Sequence, residues 1–115
     1  MIFRFHNGRV ALPGGAVGAA DIAVADGAVT AVSAAGDKPA DREIDLGGGW
    51  LLPGFVDTQV NGGGGVLFND QVDVEAIAAI GAAHARFGTT AFLPTLISDT
   101  PAQIAAALAA VDAAI

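Results

Sequence analysis

The sequence is 115 residues long and carries a formal charge of −7, from five basic and twelve acidic side chains. The absence of cysteine excludes disulfides, thiolate metal sites and a cysteine nucleophile, and the two histidines, His6 and His84, are too far apart for an HxH or HExxH pair. The acidic balance argues against nucleic acid or an anionic membrane surface as a partner, and 26 Ala and 16 Gly leave only a small set of larger apolar residues for a core.

The N-terminus alternates in residue type instead of running from a basic start into an apolar stretch. No apolar run reaches the ~18 residues of a membrane helix, so a cytoplasmic protein without a membrane partner is expected. Ile2 to His6 and Arg9 to Leu12 read as strands flanking Asn7-Gly8, a dipeptide that favours a type I′ hairpin turn. Asp21–Ala25 and Ala28–Ser33 repeat the pattern around Asp26-Gly27. The polar stretch 36–42 reads as a surface loop and Glu43–Leu46 as one more strand, before the glycines at 47–49. Residues 1–52 are thus expected to form a small β-unit with one wet face.

From residue 53 the period changes. Gly54–Val60 reads as a strand and the glycine-rich segment 61–65 as a loop. Asp73 is placed to cap a helix that carries Ile77, Ile80, His84 and Phe87 on one face and stops at Gly88. Thr89–Leu93 suits a second strand. Thr100-Pro101-Ala102-Gln103 has the capping-box pattern with proline in the first helical position, and Ile104, Leu108, Val111 and Ile115 follow as one apolar stripe. Strand and helix in alternation predict parallel strands with crossover helices. The residues after 52 are far fewer than the about 250 of a closed (β/α)₈ barrel, so an incomplete barrel is the expectation.

The candidate site lies at 52–65. Alternation along the strand puts Phe55, Asp57, Gln59 and Asn61 on one face, and Val56, Thr58 and Val60 on the face that would meet helices. Gln59 and Asn61 stand at the C-terminal end, where parallel α/β folds build their sites. The plainer alternative is a polar strand end bonded to its own loop. Asp57 could orient a site group from behind or make a structural hydrogen bond near the strand start. The four glycines lack the spacing of a phosphate-binding loop, so close backbone packing is expected there. His84 on its apolar stripe reads as a packed or interface residue, and His6 as a surface residue.

The run Leu51-Leu52-Pro53-Gly54-Phe55-Val56-Asp57-Thr58-Gln59-Val60-Asn61, with the glycines and Phe68-Asn69-Asp70 behind it, resembles the first barrel strand and loop of the N-acetylglucosamine-6-phosphate deacetylase family, within the amidohydrolase superfamily. Gly88-Thr89-Thr90 and Leu93-Pro94-Thr95-Leu96 resemble its second barrel strand. In that superfamily two histidines at this strand end bind a catalytic metal, and here Gln59 and Asn61 stand in their places.

The resemblance implies an α/β fold. Residues 1–52 would be a β-sandwich portion, and 53–115 the first two βα units of a TIM-like barrel. It also implies a single-metal hydrolase of an amino-sugar phosphate, releasing acetate and glucosamine 6-phosphate. Its one divalent ion, zinc or iron, would be held by residues on later strands and not by this segment, because an amide oxygen is a weak donor where imidazole is a good one. On this reading no catalytic or metal-binding residue lies within the chain. The segment alone is expected to be inactive, and to order only with the remainder of its own polypeptide or a second chain supplying it. The complete enzyme is expected to be a homodimer. Two alternatives stay open: an amidohydrolase acting on a cyclic amide or another acetamido sugar, and a non-catalytic β-rich association module.

Overall fold

In the computed structural model, residues 1–11, 13–15, 17–34, 36 and 39–115 are described. They divide into two units, Met1–Pro53 and Gly54–Ile115. The expected strand end at Leu12, and Asp37 and Lys38 of the expected loop, lie outside the described residues.

The first unit is built of two sheets. One has the order β5-β4-β1-β6, from β1 (Ile2–His6), β4 (Asp21–Ala25), β5 (Ala28–Ser33) and β6 (Arg42–Asp45); the other has the order β3-β2-β7, from β2 (Arg9–Ala11), β3 (Val17–Ala19) and β7 (Trp50–Leu51). A short 3₁₀ turn, Pro13–Gly15, joins β2 to β3. The Asp26-Gly27 hairpin forms as expected: β4 and β5 pair antiparallel and both turn residues have positive φ.

The Asn7-Gly8 hairpin does not form. β1 pairs with β4 and β6 whereas β2 pairs with β3 and β7, so the chain changes sheet at this dipeptide. A type I′ turn needs positive φ at both residues; Asn7 has it, at 55°, and Gly8 is not among the positive-φ glycines. Gly8 instead lies against Leu46, where an added Cβ would come within 2.9 Å of the Leu46 Cβ. The segment from β6 to β7 crosses beside it, held by Leu46 N–H to His6 O at 2.9 Å, Gly48 N–H to Asn7 O at 2.7 Å and Arg9 N–H to Gly49 O at 2.9 Å. The two segments change sheet together. Strands β3 and β7, at three and two residues, were too short to mark themselves in the sequence.

Asp45 sits at this crossing. It accepts from Gly47 N at 2.8 Å and from Asn7 Nδ2 at 2.7 Å. The Gly47 N–H first, then the Asn7 amide, hold its carboxyl below the ordinary 3.8. Folding lowers this pKa, so the stabilisation is complete above 3.8 and is lost as pH falls through the folded-state value. Asp45→Asn should therefore be less stable than the parent chain at neutral pH and converge on it below 3.8. Urea titrations at a series of pH values check this, and a gap that does not change with pH would refute it.

Inside the unit Val10, Ile22 and Ala23 are buried. Buried Asp21 accepts from Gly36 N at 2.9 Å and faces the Arg4 guanidinium. His6 is half-buried, 3.9 Å from the Glu43 carboxylate. Phe5, Val24 and Leu51 join Val10 and Ile22 around an apolar cleft of about 490 Å³.

The second unit is a strand–helix–strand–helix run. β8 (Phe55–Val60) and β11 (Thr89–Pro94) pair in parallel, with Val60 opposite Pro94, and α1 (Val74–Ala85) connects them. Asp73 caps α1 by accepting from Ala76 N at 2.8 Å, and Thr100 caps α2 (Pro101–Ala114) by accepting from Gln103 N at 3.3 Å. The core gathers Val60, Phe68, Ile77, Ile80, Ala107 and Ala110.

Three expectations change here. Helix α1 ends at Ala85, so Phe87 leaves the stripe and is 78% exposed. Along β8 only Val60 is buried, and Val56 is exposed. In α2 the buried residues are Ala107 and Ala110, while Ile104, Leu108 and Ile115 are exposed. Small side chains allow the helix to approach closely, and its larger apolar residues line an open cleft with Phe68, Pro94 and Leu96. Among the described residues no helix is long and apolar enough to cross a membrane.

Candidate functional site

The C-terminal ends of β8 and β11 lie side by side because the strands are parallel, with Val60 opposite Pro94 after a register shift between Phe92 and Pro94. Asp57 is half-buried and its Oδ1 accepts from Gln59 N at 3.1 Å, a contact along its own strand. The Gln59 residue is exposed. Asn61 is half-buried and held on several sides. Its Nδ2 donates to Thr95 O at 2.9 Å, its own carbonyl accepts from Phe68 N at 2.8 Å, and Thr95 N donates to the preceding Val60 O at 2.8 Å. A carbonyl oxygen can only accept, so the Asn61 nitrogen must face Thr95 and its Oδ1 is turned the other way.

The glycine-rich segment, read as a loop in the sequence, contains a small hairpin. β9 (Gly62–Gly63) pairs antiparallel with β10 (Val66–Leu67), and Gly64 and Gly65 turn it with φ of 62° and 84°. This hairpin lies against α1. His84 Nε2 is 3.0 Å from Gly62 O, and a Cβ at Gly63 would fall 2.9 Å from the imidazole. Since Gly62 O must accept, Nε2 carries the hydrogen. His84 is thus a packed residue anchoring the loop.

Asn69 is a further polar residue that spacing alone does not single out. Its side chain pairs with the backbone of Ile97, with N–H to Oδ1 at 2.8 Å and Nδ2 to O at 2.9 Å. Its position after the buried Phe68, in the segment leaving a strand end, is the sequence signal that could have marked it.

Amide side chains dominate this strand end. Among the described residues no group of three or more His, Cys, Asp or Glu side chains comes together. Gln59 and Asn61 offer oxygen donors that are weak toward zinc or iron, and the Asn61 nitrogen is committed to Thr95. The residues present do not fit a metal centre of their own. What they can do is hydrogen-bond and orient a ligand at the ends of β8 and β11.

No protein-family model matches the chain. It is 49% identical over 79 residues to an N-acetylgalactosamine-6-phosphate deacetylase of Shewanella sp. (strain ANA-3), covering 69% of this chain and 19% of that protein. It is 43% identical over 67 residues to the N-acetylglucosamine-6-phosphate deacetylase of Haemophilus influenzae, covering 58% of this chain and 18% of that one. Among solved structures, the N-acetylglucosamine-6-phosphate deacetylase of Pasteurella multocida superposes with a TM-score of 0.92 at 28% identity, covering 99% of this chain and 30% of the enzyme. The chain therefore spans about a fifth of the curated relatives and under a third of the solved enzyme. In sequence and in fold, this chain is similar to the N-terminal part of the N-acetylglucosamine-6-phosphate deacetylases, which are hydrolases.

Proposed function

We propose that the chain is the opening part of an N-acetylglucosamine-6-phosphate deacetylase. Residues 1–52 would contribute a β-sandwich portion, and 53–115 the first two βα units of a TIM-like barrel. The reaction would hydrolyse the acetamide C–N bond, consuming water and yielding acetate and glucosamine 6-phosphate. The observation that carries this reading is the end of β8, where Gln59 and Asn61 replace an imidazole pair and Asn61 is aimed by the Thr95 carbonyl. Such groups suit orientation of the amino sugar, with Asp57 supporting Gln59 through its backbone N–H. The single catalytic metal, zinc or iron, would belong to residues outside this chain. The exposed apolar residues of α2 would be covered by the rest of the barrel, on the same polypeptide or a second one. The complete enzyme would be a cytoplasmic homodimer.

A hybrid tests this. The corresponding N-terminal part of the Pasteurella multocida enzyme is replaced by residues 1–115, and acetate release is followed. The hybrid is expected to deacetylate N-acetylglucosamine 6-phosphate, whereas the 115-residue chain alone is expected to release none. A folded, metal-loaded hybrid without activity would overturn the reading. The Shewanella relative, at 49% identity, supports a second substrate, N-acetylgalactosamine 6-phosphate. The ratio of kcat/KM for the two epimers on the same hybrid decides between them.

A further inference from the structure

Asn69 imitates a strand neighbour for a single residue. Its Oδ1 accepts from Ile97 N at 2.8 Å and its Nδ2 donates to Ile97 O at 2.9 Å, so one side-chain amide satisfies both polar groups of that residue. The Nδ2 group also reaches Asp99 Oδ2 at 3.1 Å, and Gln103 Nε2, in the first turn of α2, donates to Asn69 O at 2.9 Å. Buried Phe68 roots the residue in the core. Two residues before Ile97 lies Thr95, whose carbonyl receives the Asn61 amide.

We propose that Asn69 is a positioning residue. It holds the backbone that leaves β11, from Thr95 to Asp99, and through the Thr95 carbonyl it sets the direction of Asn61. The proposal rests on reading Asn61 as part of the ligand site. Thr95 keeps its bond to Val60 O in any case, so loss of Asn69 should misdirect Asn61 without detaching it.

Isosteric chemistry makes this testable. In Asn69→Asp the ionised carboxylate has no hydrogen for Ile97 O and faces the Asp99 carboxylate. When protonated, it regains one donor, so the defect should fade as pH falls through its titration. Asn69→Ser keeps a hydroxyl but cannot reach both Ile97 groups, and its milder defect should not show that titration.

Residues 1–115 contain three asparagines, Asn7, Asn61 and Asn69, so segmental ¹⁵N-asparagine labelling of this part of the hybrid enzyme gives three side-chain NH₂ pairs. Asn7 bonds Asp45 in the other unit and serves as the internal reference. At neutral pH, Asn69→Asp is expected to speed hydrogen exchange of the Asn61 pair about tenfold relative to the parent hybrid, leaving Asn7 unchanged. Asn69→Ser should do so more weakly. An unmoved Asn61 pair in both variants, acceleration of Asn7 to the same extent in both, or three parent pairs at unfolded positions would each overturn the proposal. In the hybrid enzyme, Asn69→Asp should lower kcat/KM on the order of tenfold or more at neutral pH and recover toward acid pH. A parent hybrid with no activity would count against the deacetylase reading alone, because the exchange measurement decides the role of Asn69 separately.

Discussion

Replacing Phe68 with alanine is expected to cost about 3–5 kcal/mol and to unfold much of the Gly54–Ile115 population. Phe68 is 1% exposed and packs among Val60, Ile77, Ile80, Ala107 and Ala110, so its removal leaves a cavity bounded by β8 and both helices. A unit of this length has a stability of roughly 3–9 kcal/mol, and the loss is therefore comparable with the whole. Phe87→Ala is the matched control. Phe87 is 78% exposed just past the end of α1, and its removal should change stability by no more than about 0.5 kcal/mol. Hydrogen exchange resolved along the chain checks both. Exchange in 54–115 should accelerate strongly for Phe68→Ala and hardly at all for Phe87→Ala. Equal effects would mean that the core is not organised around Phe68.

That contrast shows where sequence reasoning succeeds and where it stops. Asp26-Gly27, Asp73 and Thr100-Pro101 act through neighbours one to three residues away, and each produced the turn or cap expected of it. Asn7-Gly8 carries the same turn chemistry, yet its path is decided by Leu46 and Gly49, some forty residues on. The α2 stripe misled for another reason: periodicity ranks large apolar residues above alanine, whereas close helix packing favours the small ones. The place of Gln59 and Asn61 at the C-terminal end of β8 was legible because strand direction is a local property. The partners that fix them were not. Thr95 and Ile97 meet Asn61 and Asn69 across 34 and 28 residues, and His84 meets Gly62 across 22. The first two pairs exist only once β8 and β11 lie parallel, and the third only once α1 has packed against the β9–β10 hairpin.

Gly54→Ala and Gly62→Ala each add one methyl group, and each is expected to destabilise the second unit by about 3 kcal/mol, near the upper end for overpacking. Only the first should be curable. A Cβ at 54 would overlap the Thr90 side chain, lying 2.8 Å from its Cβ, and so would force β8 and β11 apart where they begin to pair. Its obstacle is a side chain. Adding Thr90→Gly should restore part of the loss, reduced by the roughly 0.5–1 kcal/mol that glycine costs in a strand. Thr90→Ala keeps the offending Cβ and should restore less. At Gly62 the obstacle is backbone: the new Cβ would overlap Val66 O and sit 3.1 Å from Leu67 Cα, inside the β9–β10 hairpin. No side-chain change can clear it, and the displaced hairpin would also draw Gly62 O away from His84. Urea denaturation of the single and double variants, arranged as a double-mutant cycle, measures the difference. A favourable coupling of about 1–2 kcal/mol is expected between Gly54→Ala and Thr90→Gly, and none between Gly62→Ala and Thr90→Gly. If Thr90→Gly relieved Gly62→Ala equally, the strain would be spread through the unit and the close approach of β8 to β11 at Gly54 would not be its source.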